Sequence, residues 1–351
     1  MMPKNNFLSD NCSPVDKKIF DCLIKANTGK VYSYGDDDWT ENAIDLMKQH
    51  FGKKADIYFL SNGTAANALA MKSTLKRHQA IICSDVAHLH ENESGAIEAV
   101  SGNKILPIKS KLGKINVGNI AMALNKLGCI YTAQPKLISI SQATELGTVY
   151  SINELKEIKA FAKEHNLLLH IDGARLANAA VFLKTDLKEI CDSADIFSFG
   201  CTKNGGIFGD ALIFSNNNLS EDFFFLQKQN LQLTPKTRYI SAQYIAMFEN
   251  DLWKTNAQNA NMTAIELSKK LSQIEEVSIL YPIEINMIFV KLPPCLIVPL
   301  LETNDFSIID KQEGIIRLVT SFDTTETDIN NFILSLKKNL TCYRINNTNC
   351  I

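Results

Sequence analysis

A single lysine stands where the chain leaves an apolar, strand-forming run: Ile196-Phe197-Ser198-Phe199-Gly200 gives way to Cys201-Thr202-Lys203-Asn204-Gly205-Gly206. Long cationic side chains are rarely buried without a partner. Lys203 therefore has three readings: a surface residue in a turn, the partner of a carboxylate, or an amine that condenses with an aldehyde cofactor. Asp172 closes a second apolar run, Leu167-Leu168-Leu169-His170-Ile171-Asp172, just before Gly173-Ala174-Arg175. An acid at the carboxyl end of a buried strand stands where open α/β sheets bind their ligands; pairing with Arg175 is the plainer account. The segment Ser61-Asn62-Gly63-Thr64-Ala65-Ala66-Asn67 links a short apolar strand to a helix start. The backbone N–H groups of Gly63, Thr64 and Ala65 suit a phosphate there, although an ordinary helix cap uses the same residue types.

Two further groups complete the set. His88 follows a strand within Ala87-His88-Leu89-His90-Glu91-Asn92-Glu93. It can stack on a planar ligand, exchange a proton or remain a satisfied surface residue. The spacing of His88 and His90 suits one face of a strand, and with no third ligand nearby no metal is expected. Arg317 interrupts the apolar run Ile315-Ile316-Arg317-Leu318-Val319. Its planar fork fits a carboxylate, or else it faces water at a strand edge. An anion-binding helix start, an acid for a pyridine nitrogen, an amine for an aldehyde and an arginine for a carboxylate are together what a pyridoxal 5′-phosphate (PLP) enzyme acting on amino acids requires.

These groups need a scaffold that brings strand ends together. Strand and helix patterns alternate over residues 55–215, which predicts a mostly parallel sheet covered by helices. Helices are expected over 15–26, over 41–51 with Thr40 as cap, over 119–127, and over 152–165 with Ser151 and Glu154 forming a capping box. The aspartates at 36–38 read as a solvated loop or as a functional loop reaching a partner subunit. Helical patterns follow at 221–230 and 241–271. From residue 277 the pattern changes to short strands (277–281, 287–292, 306–309, 315–319) with helices at 295–302 and 325–339, and the last dozen residues read as a loose tail. The expectation is a large domain over 1–250, including the N-terminal segment, and a small α+β domain over 251–351.

Composition bounds the function. The chain has 351 residues, 46% hydrophobic and 21% charged, with a formal net charge of −2. Nothing in that balance favours nucleic acid or an anionic membrane, and no apolar run reaches the length of a bilayer span. Nine cysteines without paired spacing suit reduced thiols and a cytoplasmic location.

The order of the motifs is specific. SDN at 9–11, SYGDD at 33–37, SNGTAAN at 61–67, AHLHENESGA at 87–96, HIDGAR at 170–175, SFGCTKNGG at 198–206 and IIRLVTSFDTTE at 315–326 resemble the landmarks of the threonine aldolase family, fold-type I PLP-dependent enzymes. The TKNG form and the segment 142–148 are similar to the low-specificity threonine aldolase and phenylserine aldolase branch. The resemblance implies an α/β fold with a large, mostly parallel seven-stranded sheet and a small C-terminal domain. It implies retro-aldol cleavage of a small β-hydroxy-α-amino acid to glycine and an aldehyde by a homo-oligomer, dimer or tetramer. β-Elimination on the same scaffold is the alternative activity, and a non-catalytic binding protein a third reading.

The resemblance also implies roles. Lys203 carries the cofactor as a Schiff base, Asp172 holds its pyridine nitrogen protonated and His88 stacks on its ring. Gly63, Thr64 and Ala65 hold the phosphate. Ser9, Arg175 and Arg317 hold the substrate carboxylate. Lys228, Arg238 and Tyr34 match positions from which a neighbouring subunit reaches the cofactor. One departure stands out: some members carry a histidine in a loop reading Glu-Asn-Thr-His, where this chain has Gln142-Ala143-Thr144-Glu145. That leaves His88, a water held by it, or Glu93 to take the hydroxyl proton.

Overall fold

In the computed structural model, which describes residues 4–215 and 217–348, the chain forms two compact units. The larger spans Pro14–Glu145 and Val149–Lys254. The smaller takes the residues up to Ser13, Leu146–Thr148 and those from Thr255 on, so the N-terminal segment, expected with the large domain, groups with the C-terminal part.

The larger unit is built on seven strands: β1 (Asp56–Leu60), β2 (Gln79–Ser84), β3 (Lys104–Ile108), β4 (Gln134–Ser141), β5 (Leu168–Asp172), β6 (Ile196–Gly200) and β7 (Asp210–Phe214). Their order is β1-β7-β6-β5-β4-β2-β3. Neighbouring pairs are parallel except that β7 runs antiparallel to both β1 and β6. Every residue of β6 and β7 is buried, as the continuous apolar runs require of strands covered on both faces. Alternate side chains divide the core. Phe197 and Phe199 pack with Phe51 and Phe248 at ring separations of 5.3–5.7 Å, while Ile196 joins Leu60, Leu69, Ile81, Leu212 and Phe214.

Two glycines let the site strands converge. Gly173 N–H donates to Ser198 Oγ at 2.9 Å, and Gly200 N–H donates to Gly173 O at 3.2 Å. A Cβ on Gly173 would stand 1.9 Å from Ser198 O, and one on Gly200 would stand 2.7 Å from Ala174 O. The obstacle is backbone in both cases, so Gly173→Ala has to separate the ends of β5 and β6. It should cost about 3 kcal/mol or more, read as a lower urea midpoint. An unchanged midpoint would contradict this packing.

Local signals set the helix boundaries. The capping box at Ser151 and Glu154 forms in both directions ahead of the helix Ile152–Glu164. The helix expected from residue 41 begins three residues earlier as Asp38–Phe51. Its cap is Asp37 rather than Thr40, because Asp37 accepts both the N–H and the hydroxyl of Thr40 at 3.0 Å. One of the three aspartates is thus a helix cap. The helix expected over 119–127 is Val117–Ala123. The pattern over 241–271 breaks into Arg238–Phe248 and Leu252–Leu271, since Asn250 and Asp251 adopt left-handed backbone conformations. The division between the units falls within the latter helix.

In the smaller unit, β8 (Ser278–Ile279), β9 (Met287–Lys291), β10 (Ser307–Asp310) and β11 (Ile315–Val319) form an antiparallel sheet in the order β10-β11-β9-β8. Its core joins Phe7, Leu267, Leu271, Ile288, Val290, Leu318, Phe332 and Leu336. Val319 N–H donates to Phe7 O at 2.8 Å, and the Phe7 ring meets Phe332 edge-on at 5.4 Å; these contacts tie the N-terminal segment here. Of the stretch expected to be a loose tail, the part up to Thr348 continues the helix Glu326–Thr348, and residues 349–351 lie outside the described residues. No helix among the described residues is long and apolar enough to cross a membrane.

Candidate active site

The site of the larger unit gathers at the carboxyl ends of β2, β4, β5 and β6. Asp172, the last residue of β5, is buried. Its Oδ2 accepts Asn67 Nδ2–H at 2.8 Å and its Oδ1 accepts Ala174 N–H at 3.0 Å. Burial works to raise its carboxyl. The Asn67 bond, the charges of His88 and Lys203 and the Ala174 N–H outweigh burial and hold it below the ordinary value, so it stays ionised. Lys203 sits half-buried in the short turn Thr202–Asn204 that follows β6. Its ammonium acts on Asp172, Asp210 and His88 together, so the sequence-predicted amine, acid and imidazole share one locality.

Asn67 organises the pair. The helix Gly63–Thr74 places it one turn inside from Gly63, buried. Its Nδ2 donates to Asp172 Oδ2 and also to Glu93 Oε1, the latter at 2.9 Å. The same Glu93 oxygen receives His88 Nδ1 at 3.0 Å. Glu93 is buried, whereas 44% of the His88 side chain remains accessible, which leaves the imidazole open to a planar ligand. The Glu93 hydrogen bond leads the causes that raise His88 above its ordinary range, and burial opposes it. His88 and His90 lie in a four-residue helix, His88–Glu91, rather than on a strand. Among the described residues no cluster of His, Cys, Asp or Glu could hold a metal.

The loop that lacks the second histidine has a different use here. Glu145 Oε1 accepts His88 N–H at 2.8 Å and Ser141 Oγ–H at 2.6 Å, fixing the backbone from which His88 projects. Burial pushes the Glu145 carboxyl up.

At the helix start, Asn62 Oδ1 accepts Ala65 N–H at 2.9 Å. Of the three expected phosphate donors, Ala65 is thus engaged by the cap. The N–H groups of Gly63 and Thr64 belong to the first turn, where no intrahelical carbonyl serves them. A Cβ on Gly63 would stand 3.0 Å from Asp210 Oδ2, so a larger residue here would press on that carboxyl. Gln232 Oε1 accepts both the N–H and the hydroxyl of Ser61, at 3.0 and 2.6 Å, and secures the preceding turn.

The residues present fit PLP. An amine, an ionised buried acid, an accessible imidazole and a helix start without side-chain bulk are the donor set that its aldehyde, pyridine nitrogen, ring and phosphate need. Buried Asn67 Oδ1 and Glu93 Oε2 have no hydrogen-bond partner, a polar reserve consistent with a ligand-bearing site.

The remaining predicted residues are distributed as follows. Arg175 immediately precedes the helix Leu176–Leu183. Lys228 Nζ lies 4.6 Å from the Tyr34 ring centroid, and Arg238 donates to Thr28 O and Gly29 O at 3.4 and 3.3 Å, so all three make contacts within their own chain. Ser9 and Arg317 belong to the smaller unit: Ser9 Oγ caps the turn Asp10–Cys12, and Arg317 donates from NH2 to Ser307 Oγ at 3.1 Å. Sequence reasoning missed the roles of Asn67, Glu145 and Asp210. Asn67 ended a motif already singled out, so a polar residue on the inward face of that helix was the available signal.

Comparison with known proteins follows the same lines. The family pattern described as Beta-eliminating lyase matches residues 6–293. Low-specificity L-threonine aldolases are similar: that of Pseudomonas aeruginosa is 38% identical over 289 residues, 82% of this chain and 84% of that protein, and that of Pseudomonas sp. is 39% identical with the same coverage. The solved structure of Leishmania major threonine aldolase superposes with a TM-score of 0.90 at 32% identity, covering 96% of this chain and 99% of that one.

Proposed function

The chain belongs to the Beta-eliminating lyase family, and on that premise we propose a residue-level reading of its chemistry as a threonine aldolase. It is a PLP-dependent carbon–carbon lyase that cleaves β-hydroxy-α-amino acids to glycine and an aldehyde. When bound, the cofactor supplies an electron sink for the bond broken between Cα and Cβ. Lys203 would hold it by its aldehyde, Gly63 and Thr64 by its phosphate, and ionised Asp172 would keep its pyridine nitrogen protonated. Arg175 is assigned to the substrate carboxylate, whose fixation sets which Cα bond breaks.

Glu93 engages His88 at Nδ1 and leaves Nε2 to take the β-hydroxyl proton. The carrying observation is the shared Asn67 amide, which orients the acid Asp172 and, through Glu93, the imidazole His88. L-Threonine, L-allo-threonine and L-phenylserine should each be tried, with glycine and aldehyde expected in equal amounts. A keto acid with ammonia, or no aldehyde from any of the three, would overturn the aldol assignment.

The base assignment has a pH signature. Neutral His88 is the active form, and its proton affinity is raised above the ordinary 6.5. The kcat/KM of aldol cleavage should therefore rise with pH through a midpoint above 6.5. Glu93→Gln keeps an acceptor oxygen but removes the anion, so it should move that midpoint down. An acid limb that does not move would reassign the base.

A cytoplasmic homo-oligomer completes the reading. The support for self-association is a run of exposed apolar side chains on and beside the helix Phe223–Gln229: Phe224, Phe225 and Leu231 are 50, 66 and 91% exposed. Sedimentation should give at least twice the 39.1 kDa of one chain, and Leu231→Asp should weaken association. A monomer at micromolar concentration would contradict the assembly.

A further inference from the structure

A second buried carboxyl, Asp210, opens β7 and has no place in the chemistry above. The sheet register sets it between Leu60, the last residue of β1, and Gly200, the last residue of β6. It therefore lies between the strand that feeds the helix start at Gly63 and the strand that feeds the Lys203 turn. Its Oδ1 accepts Cys201 N–H at 3.0 Å, and the Thr202 N–H also bonds it. These two donors open the turn Thr202–Asn204, which has no side-chain cap from Cys201 itself. Its Oδ2 faces Gly63.

A neutral side chain could cap such a turn at lower cost, because a buried carboxylate loses its hydration. The cost is visible: burial pushes the Asp210 carboxyl up to about 6, with Asp172 adding to the rise and the two N–H groups and Lys203 opposing it. The other titratable groups that feel its charge are the buried Cys201 thiol and Tyr244 phenol, both pushed up chiefly by burial.

We propose that Asp210 is a positioning residue that caps the turn carrying Lys203 and supplies the negative charge that sets the proton affinity of the lysine–cofactor linkage. The proposal rests on Lys203 as the cofactor's attachment point. Its test uses the PLP-loaded enzyme. Borohydride reduction followed by peptide mass analysis first locates the cofactor, and a pH titration of the visible absorption band then reports the protonation of the linkage.

Asp210→Asn keeps the capping oxygen and removes the charge; Asp210→Glu keeps the charge. The titration midpoint should fall by about one unit, a tenfold loss of proton affinity, in D210N and stay near that of the parent in D210E. Asp210→Ala, which removes cap and charge, should also weaken PLP binding to the apoprotein tenfold or more by fluorescence quenching. A parent-like midpoint in D210N with native circular dichroism, or equal shifts in D210N and D210E, overturns the proposal. Should D210N lose the native spectrum, folded Asp210→Ala decides: a lowered midpoint sustains the proposal and a parent-like midpoint overturns it. Cofactor attached elsewhere than Lys203 overturns the attachment assignment itself; attachment at Lys203 with an unmoved midpoint overturns only the role of Asp210.

Discussion

Protein carrying Lys203→Ala should purify colourless, should take up no borohydride-fixed cofactor, and should form aldehyde from β-hydroxy amino acids slower by ~10⁴-fold or more, the scale seen when a covalent catalytic group is removed. The geometry makes the effect large. The turn after β6 puts this amine within electrostatic reach of Asp172, Asp210 and His88, so the substitution removes the proposed tether and the cation shared by two buried acids. Without that cation both carboxyls rise, Asp210 from a value burial has already pushed up to about 6. The fold should survive, because the β5–β6 contacts through Gly173, Ser198 and Gly200 do not involve the lysine side chain. Circular dichroism and the urea midpoint separate this outcome from misfolding. Activity within tenfold of the parent would refute the assignment of Lys203.

Asp172→Asn should lower kcat by roughly 10³-fold, the order lost when a preorganised electrostatic group is removed from a reacting centre. The carboxylate is nearly isosteric with the amide, so the loss reports charge. The hydrogen bonds add a second consequence. Asp172 now accepts from two donors, Asn67 Nδ2–H on one oxygen and Ala174 N–H on the other. An amide has one acceptor oxygen, so one of these donors faces an NH2 group. An unsatisfied buried donor costs about 1–3 kcal/mol, and urea denaturation should show a loss of that order.

The pH dependence follows the sign of the shift. Asp172 is held below its ordinary value of 3.8, so its contribution to stability is fully present above that value. It is lost as pH falls through the lower folded value. The parent should therefore lose its advantage over the variant only in acid below 3.8. Comparable kcat values for the two proteins would show that Asp172 does not hold the pyridine nitrogen.

Much of the scaffold and its polar groups could be read from local patterns, because local chemistry dictates them. The continuous apolar runs of β5, β6 and β7 read as strands buried on both faces, and the Ser151–Glu154 box marks a helix start within four residues of sequence. Misreadings arose where one local signal competed with another. Thr40 and Asp37 are both cap residues by type, and which of them caps depends on backbone direction at Asp37, extended at φ −150°. The pattern over 241–271 looks continuous because hydrophobic spacing is insensitive to two left-handed residues. The apparent tail is helical through Thr348 although its last turns carry little apolar signal.

The sequence by itself determined which side chains are the candidates for the chemistry: an amine after one apolar strand, an acid after another, small residues at a helix start, and their order along the chain. Only the tertiary structure decided the couplings between them. Asn67 bridging Asp172 and Glu93, Glu145 holding the His88 backbone, and Asp210 capping the Lys203 turn join residues 105, 26, 57 and 9 positions apart. No spacing rule predicts such pairs, because which strand lies beside which is set by burial of the whole sheet, and a hydrogen bond is made or lost over a few tenths of an ångström.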